Sequence, residues 1–539
     1  MRVIGRSEQQ AIDRLWTERT GLPLLLLMEE AAAAVRRIIR QLLETGGHTD
    51  ATVLILAGKG QNGGDAFACA RQLKAEGVNV VCRELFPAKE LPLEAAANRQ
   101  SVRASGMSLG MPRLEDFNDL KPGSIIVDGI FGTGFRGGQL PPAVIDTINR
   151  VAEARQKGAV VVAIDVPTGL DADTGAILPV CIHADYTVTF IRSKIGLCAA
   201  PGRYVSGHVI IDSIGVPDAW VEESIEQVLQ TTGRLDIRQI TPEHMKTCKP
   251  SRPDDSHKGM FGKALLLGGN PGMPGAIMLA AESALRSGVG LLTLAVPESI
   301  GPLVLAARPE SLLHLMPEQT SADPGEQLIL AEEAALQISS LIDEQTTVAA
   351  GPGAGPAAWL RRALPQMIRQ AKRLVLDADA LNLIAADSEM FFPLLRGRIT
   401  AGLDPAILTP HPGECRRLGP DLDLKDRQQA ARKLAERCGC IIVLKGASTV
   451  IASPEGPIWI NPTGNTGLAR GGSGDVLCGL IAGLLAQEMT PFTAALAGVY
   501  LHGLAADLAA GRLGRRAMLP RDVIDAFGDA FRNAGWEND

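Results

Sequence analysis

Carboxylates that close apolar runs, and glycines grouped around single polar side chains, are the features of this chain best suited to chemistry. The densest group is Gly471-Gly472-Ser473-Gly474-Asp475, which leads into the apolar stretch Val476 to Leu485. A loop of this kind bares backbone N–H groups, and the positive end of a helix behind it favours an anion. Asp475 is then either a base beside a bound anion or the N-cap of the helix, and spacing alone leaves both readings open. Near the N-terminus, Gly58-x-Gly60-x-x-Gly63 fits a dinucleotide-binding turn, a pattern common by chance. Asn62, Gly64 and Asp65 add groups that a plain pyrophosphate turn does not require.

The elements that must position these groups alternate between strand and helix. Ala51 to Ala57 is nearly continuously apolar at strand length, as in a strand buried on both faces, and runs straight into Gly58. A helix over Ala66 to Glu76 follows; before it, Ser7 is placed to cap a helix toward Glu18, and Leu22 to Glu44 reads as another. Ser124 to Asp128 and Ala159 to Asp165 are further strands ending in a carboxylate, each followed by a glycine-rich turn. Ligands of open parallel sheets bind outside the carboxyl ends of strands, so three such ends in succession favour a binding site over simple turn caps.

In the second half a strand over Lys263 to Gly268 feeds the loop Gly269 to Ala276 and a helix over Ile277 to Ser287. Later strand ends carry Gly351-Pro-Gly353, Asp377-Ala-Asp379-Ala-Leu-Asn382, Thr409-Pro-His411-Pro-Gly413-Glu414 and Lys445-Gly446-Ala447-Ser448-Thr449. No Gly-x4-Gly-Lys-Ser/Thr loop occurs, so this is not a P-loop site, and Lys445 beside small hydroxyl residues is the better phosphate candidate. His411 has no second histidine at ligand spacing, which disfavours zinc, and its loop position favours ligand contact.

A chain of 539 residues exceeds what one core supports. Between Pro217 and Met245 it becomes charged and poor in glycine, which places a boundary near 225–235 and gives domains 1–228 and 229–539. A net charge of −7 without a basic run argues against nucleic acid. The apolar run Leu22 to Met28 is too short to span a bilayer, so no membrane partner is expected. Nine cysteines scattered singly suit a reducing cytoplasm.

Residues 1–217 resemble the epimerase domain of the NAD(P)H-hydrate repair family, on Gly58 to Asp65, Asp128 to Gly134, Asp165 to Gly175, Lys194-x-Gly196 and Gly207 to Pro217. From Ser256 to Leu485, with compatible helices to Phe531, the chain resembles that family's dehydratase domain, on five motifs in order beginning with His257-Lys-Gly. The resemblance implies an α/β protein: an N-terminal Rossmann-like three-layer domain followed by a ribokinase-like α/β domain. It implies epimerisation of hydrated NADH and NADPH, and dehydration of the S-form with ADP, ATP being the lesser alternative, through phosphorylation of the C6 hydroxyl. It also carries residue roles. Asn62, Asp128 and Thr168 match potassium ligands. Gln61, Asn62, Gly63, Gly64, Asp65, Gly132, Thr133, Gly134, Phe135, Arg136, Gly137, Gly138 and Asp165 match the epimerase substrate segments, with Asp165 as the proton-transfer group. Ala276, Gly353, His411 and Asp475 match contacts to the dehydratase substrate, with Asp475 as base. Lys445, Gly446, Ala447, Ser448, Thr449 and Gly474 match the adenine-nucleotide site, where Mg2+ accompanies ADP. Gln61 stands where asparagine is usual and Thr168 where serine is usual. A homo-oligomer is expected. The alternatives are a ribokinase-class small-molecule kinase with an accessory N-terminal domain, and a chain whose first domain only binds.

Overall fold

Six strands, Val53–Ala57 (β1), Val80–Glu84 (β2), Ile125–Gly129 (β3), Val160–Ile164 (β4), Tyr186–Phe190 (β5) and His208–Asp212 (β6), form a parallel sheet in the order β2-β1-β3-β4-β5-β6. In β1, Val53, Ile55 and Ala57 pack into one buried cluster and Leu54 and Leu56 into another, so both faces of the strand are dry. The helices Leu25–Thr45, Gln61–Ala75 and Asp218–Thr232 cover the first face with Val35, Phe67 and Val221 among others. Helix Pro142–Gln156 covers the second with Val144, Ile148 and Val151, which completes three layers. The structure, a computed structural model, describes residues 1–47, 50–86, 91–135, 138–317 and 324–537.

The chain leaves β1 toward β2 on one side and returns to β3 on the other, so strand order reverses between β1 and β3. Such a reversal opens a crevice at the carboxyl ends of the strands. Here the two flanking turns touch: Gly58 N donates to Gly129 O (3.0 Å), and a Cβ on Gly58 would collide with the Ile130 carbonyl. The requirement for glycine at 58 is therefore a close backbone approach.

The second unit repeats the device on a larger sheet. Its strands are Ile237–Gln239 (β7), Lys263–Leu267 (β8), Leu291–Pro297 (β9), Leu312–Met316 (β10), Thr346–Ala350 (β11), Arg373–Leu376 (β12), Ile407–Leu408 (β13), Ile441–Leu444 (β14), Val450–Ala452 (β15) and Ile458–Ile460 (β16). They run in the order β10-β9-β8-β11-β12-β13-β14-β15-β16-β7. The part from β10 to β14 is parallel, and β15 and β16 turn back antiparallel. Order reverses between β8 and β11, where Gly269 N donates to Pro352 O (2.8 Å). Helix Ser473–Ala486 lies against helix Pro274–Arg286 because Gly479 and Gly483 present no side chain. A Cβ at either would strike Ala280 O or Ser287 Oγ, and Ser283 Oγ donates to Val476 O across the contact.

The two compact units part between Ile237 and Arg238, Met1 belonging with the second. A cut after residue 228 would fall inside helix Asp218–Thr232, whose Val221 and Ile225 belong to the first core. Ser7 does not cap the first helix, Arg6–Thr20; Gly5 does, and its N–H donates to Glu8 Oε2 (2.9 Å). Of the described helices, Pro491–Leu513 alone is long and apolar enough to cross a membrane, and 72% of its 18-residue apolar window is buried inside the protein. All nine cysteines are unpaired.

Candidate active sites

At the first reversal point a cavity of about 490 Å3 opens between the turns after β1 and β3 and the first two helices. Of the residues expected here, Gln61, Asn62, Asp65, Gly132, Thr133, Gly134, Phe135 and Asp165 line it. Gly63 and Gly64 lie outside the lining, and a Cβ at either would strike Gly58 O or Met28. Gly138, at φ 109, is a turn residue outside the lining, and Arg136 and Gly137 lie outside the described residues. Helix Gln61–Ala75 begins within the glycine turn, so Asn62 and Asp65 occupy its first turns, beside the cavity. Phe131 and Phe135 stack at 4.7 Å and make one wall aromatic.

Asp165 follows β4 with a left-handed backbone, φ 62, a conformation costly for a non-glycine residue and concentrated at functional sites. Its Oδ1 receives Lys194 Nζ (2.8 Å) and Thr189 Oγ1 (3.0 Å). Lys194 has no exposed side-chain surface and also donates to the Phe190 carbonyl (2.9 Å). Two more carboxyls border the same cavity. Burial pushes Asp65 well above the usual carboxylate range, helped by the charges of Asp165, Asp13 and Glu29. Burial also raises Asp13 to about 6, against the hydrogen bond from Gln9 and the charge of Lys194. Deeper, Asp128 is fully buried and accepts from Thr168 N (2.7 Å), Thr168 Oγ1 (2.7 Å) and Ile130 N (3.2 Å). Burial outweighs those donors and brings it to about 6. Asn62 is buried beside Gly132, and its side-chain nitrogen has no partner.

At the second reversal point Asp475 lies in the first turn of helix Ser473–Ala486, and the cap position belongs to Gly472 at φ 95. The capping alternative is thereby excluded. Burial, with the neighbouring charge of Asp377, raises Asp475 to about 6 against the opposing charge of Lys445. Lys445 Nζ donates to Asp377 Oδ1 (2.6 Å) and stands 4.0 Å from Glu414 Oε2. Burial works against its charge, but Asp377 and Glu414 outweigh that and leave it above the ordinary lysine value. Burial raises Glu414 in turn to about 7. A Cβ on Gly474 would stand 3.3 Å from Lys445 Nζ, so the glycine keeps the backbone open beside the ammonium.

Gly353, φ 61, abuts Ala276: a Cβ there would be 2.7 Å from the alanine methyl. Asn270 Nδ2 ties the Gly353 carbonyl (2.8 Å) while its Oδ1 accepts from Gly272 N (2.8 Å). The Lys445 to Thr449 turn is held by Arg427, which donates to the Leu444, Lys445 and Ala447 carbonyls, and by Thr449 Oγ1 on Gly446 O (3.0 Å). Ser448 Oγ is buried without a partner. His411 caps its own helix, Nδ1 accepting from Gly413 N (2.9 Å), and leaves about half its side chain exposed. Burial, Lys445 and Arg417 lower its pKa, so a neutral ring serves that cap.

The family model for NAD(P)H-hydrate dehydratase matches residues 264–528, and that for the YjeF-related protein N-terminus matches 25–196. The bifunctional NAD(P)H-hydrate repair enzyme Nnr of Moorella thermoacetica is 36% identical, over 99% of this chain and 97% of that one. The enzyme of the same name from Escherichia coli is also 36% identical, over 97% and 92%. The chain belongs to the bifunctional NAD(P)H-hydrate repair family. A solved ADP/ATP-dependent NAD(P)H-hydrate dehydratase of Bacillus subtilis, co-crystallised with ATP and Mg2+, is 31% identical, covers 56% of this chain and all of its own, and has a TM-score of 0.45.

Within this repair-family frame, several site residues escaped the motif reading. Lys194, Asp377, Asp379 and Glu414 were within recognised motifs but had no role there. A lysine just past an apolar strand, and a carboxylate doublet at a strand end, were the available signals. Asn270 sat in the recognised loop Gly269 to Ala276 without a role, and Asp13 carries no signal, because only the fold brings its helix to the site.

Proposed function

We propose that the chain repairs hydrated NADH and NADPH, its first unit epimerising C6 and its second returning the S-hydrate to the reduced cofactor with ADP. The observation that carries the second activity is Asp475. It is a half-buried carboxyl raised to about 6, set behind the Gly471 to Gly474 turn near Lys445. Hydroxide is a poor leaving group, so the reaction first makes a better one. Asp475 accepts the C6 hydroxyl proton, the oxygen attacks the terminal phosphorus of ADP, and AMP leaves. Phosphate then departs from C6 as C5 loses a proton and the double bond forms. Lys445 and the N–H groups about Gly474 are placed to steady the transferring charge.

Ala276 and Gly353 form the floor against which the nicotinamide nucleotide rests, with His411 at the rim. Lys445, Gly446, Ala447, Ser448 and Thr449 form the turn that takes the adenine nucleotide, and the unpartnered Ser448 hydroxyl supports that reading. Among the described residues no three His, Cys, Asp or Glu side chains converge as a metal cage. That suits Mg2+ held mainly by nucleotide phosphates with one or two carboxylates, here Asp377 and Glu414. Bound there, it supplies charge neutralisation on the phosphates.

In the first unit the aromatic wall and Asp165 accommodate the hydrated ring and its hydroxyl. Asp128, Thr168 and Asn62 offer oxygen donors only, and the buried Asn62 amide, lacking a partner on nitrogen, is able to turn its oxygen to a cation. This set fits K+, which would supply fixed positive charge beside the substrate. We extend the reading to a homo-oligomer in the cytoplasm with no nucleic-acid or membrane partner, and the nine free thiols suit a reducing compartment.

The test is a mixture of R- and S-hydrates with ADP and Mg2+, followed at the reduced-nicotinamide absorbance. Complete recovery is expected, whereas recovery of the S-fraction alone removes the epimerase. A stable phosphorylated product would identify a kinase instead.

A further inference from the structure

The epimerase reading leaves one proton unassigned. C6 of the hydrate carries a hydroxyl and is bonded to N1. Inverting it by ring opening removes the hydroxyl proton as the C6–N1 bond breaks, the electron pair goes to N1, and N1 takes up a proton. The aldehyde then turns about C5–C6, and closure on the other face runs both transfers backward. One group must accept at oxygen while another donates at nitrogen.

Asp165 is suited to the first task and not the second. It is ion-paired at 2.8 Å to Lys194, which is wholly buried, and takes a further hydrogen bond from Thr189 Oγ1 (3.0 Å), so its place in the site is that of an acceptor. The donor has to come from elsewhere on the same cavity. Two carboxyls line it besides Asp165: Asp65 on helix Gln61–Ala75 and Asp13 on helix Arg6–Thr20. Asp13 is fixed there by the chain entry. Ile4 pairs with the Lys194 segment, Ile4 N donating to Ser193 O (3.0 Å) and Ile195 N to Ile4 O (3.0 Å), so helix Arg6–Thr20 starts alongside the lysine that holds Asp165. Gln9 Nε2 donates to Asp13 Oδ1 (2.9 Å) and orients the carboxyl. We propose that Asp13 is the second proton-transfer group of epimerisation, protonating N1 while Asp165 accepts the C6 hydroxyl proton, and that Lys194 is a positioning residue for Asp165. The proposal rests on the epimerase reading of the first unit.

The charged surroundings support this division. Asp13 faces Lys194 beyond β5, Asp165 beyond β4 and Asp65 on helix Gln61–Ala75, and Arg6 on its own helix and Lys59 after β1 line the same cavity. Burial brings it to about 6, near enough to neutrality to give and retake a proton each turnover. Burial and the charges of Asp165, Asp13 and Glu29 push Asp65 well above the usual carboxylate range. The helix bearing Asp13 lies upstream of the residues that the N-terminal family model matches.

The experiment uses the full-length protein, epimerisation of pure R-hydrate being read by NMR across pH 5 to 9 in wild type, Asp13→Asn, Asp13→Glu and Lys194→Arg. Asp13→Asn is expected to lose about 10²- to 10⁴-fold in rate. It also loses the limb on which wild-type kcat/KM declines as pH rises past Asp13, while dehydration of S-hydrate by the second unit continues unchanged. Asp13→Glu, which keeps the acid on a longer arm, retains that limb at reduced rate, and a merely structural aspartate would not produce it. Lys194→Arg keeps the cation and is expected to retain more rate than Asp13→Asn. An Asp13→Asn protein within threefold of wild type, with an unaltered pH profile, overturns the proposal while leaving the epimerase intact. A wild-type protein unable to epimerise overturns the underlying reading itself.

Discussion

Both sites join a buried lysine to a strand-end aspartate, and they differ in which aspartate the lysine holds. In the first unit Lys194 grips Asp165, the residue assigned to the chemistry. In the second Lys445 grips Asp377 and leaves Asp475 to one side, where burial and Asp377's charge raise it to about 6. An ammonium bound to a carboxylate fixes its geometry, whereas burial near another carboxylate strengthens a base. The same components thus hold the reacting aspartate itself in one site and a neighbour that raises it in the other.

The largest effects should come from removing each carboxylate in turn. Asp475→Asn is expected to slow dehydration by about 10²- to 10⁴-fold with epimerisation unchanged, and Asp165→Asn to do the reverse. Asparagine is the appropriate replacement at 165, since it tolerates the left-handed backbone there better than other side chains. Separate assays on pure S- and pure R-hydrate read the two rates. An Asp165→Asn protein that dehydrates S-hydrate slowly would end the separation of the sites.

Next come the lysines. Lys194→Met strands Asp165 against the remaining Thr189 hydroxyl in a largely buried setting, and losses of this kind run to about 3–5 kcal/mol. Lys445 is 17% exposed and Asp377 keeps the Ala378 N–H (2.8 Å), so Lys445→Met should destabilise its unit less while still impairing dehydration. Urea unfolding with a probe in each unit ranks the two. Equal losses would show that the pairs do the same job, contrary to the contrast drawn above.

The contrast also predicts pH behaviour. A carboxyl raised to about 6 is a base only above that pH, so dehydration kcat/KM should fall about tenfold per unit below 6 as Asp475 takes up its proton. A flat profile down to pH 5 would mean that Asp475 stays ionised, and that Lys445 governs it after all.

Much of this arrangement was legible in the residues. Apolar strands ending in Asp128 and Asp165, and the glycine turn before Asp475, marked both reversal points. Periodicity and glycine spacing report local backbone, and these turns are local. What stayed hidden depends on topology. The 13-to-165 and 377-to-445 juxtapositions bridge long sequence separations, and neither residue of a pair announces the other. Glycines also conceal part of their purpose: Gly63 fits a ligand-binding fingerprint and Gly64 follows it, and both pack closely, against Gly58 and Met28, as only the distances to a hypothetical Cβ show. At His411 a loop position suggested ligand contact; Nδ1 caps the helix, a role the motif did not announce, while about half of the side chain stays exposed.

The smallest expected effect concerns Gln61, where the chain departs from the usual asparagine. Its amide is exposed and donates to Glu94 Oε2 at 3.3 Å, a long surface hydrogen bond at the rim of the cavity. Asn62 beside it is buried against Gly132. Shortening Gln61 to asparagine removes one exposed bond and leaves the carboxylates and the aromatic wall untouched, so KM for R-hydrate should change within about twofold. Asn62→Ala should instead weaken any dependence of the rate on added K+. A tenfold change in KM from Gln61→Asn would place recognition at the cavity mouth, and would shift the distinction between the two sites from how their aspartates are held to how their substrates enter.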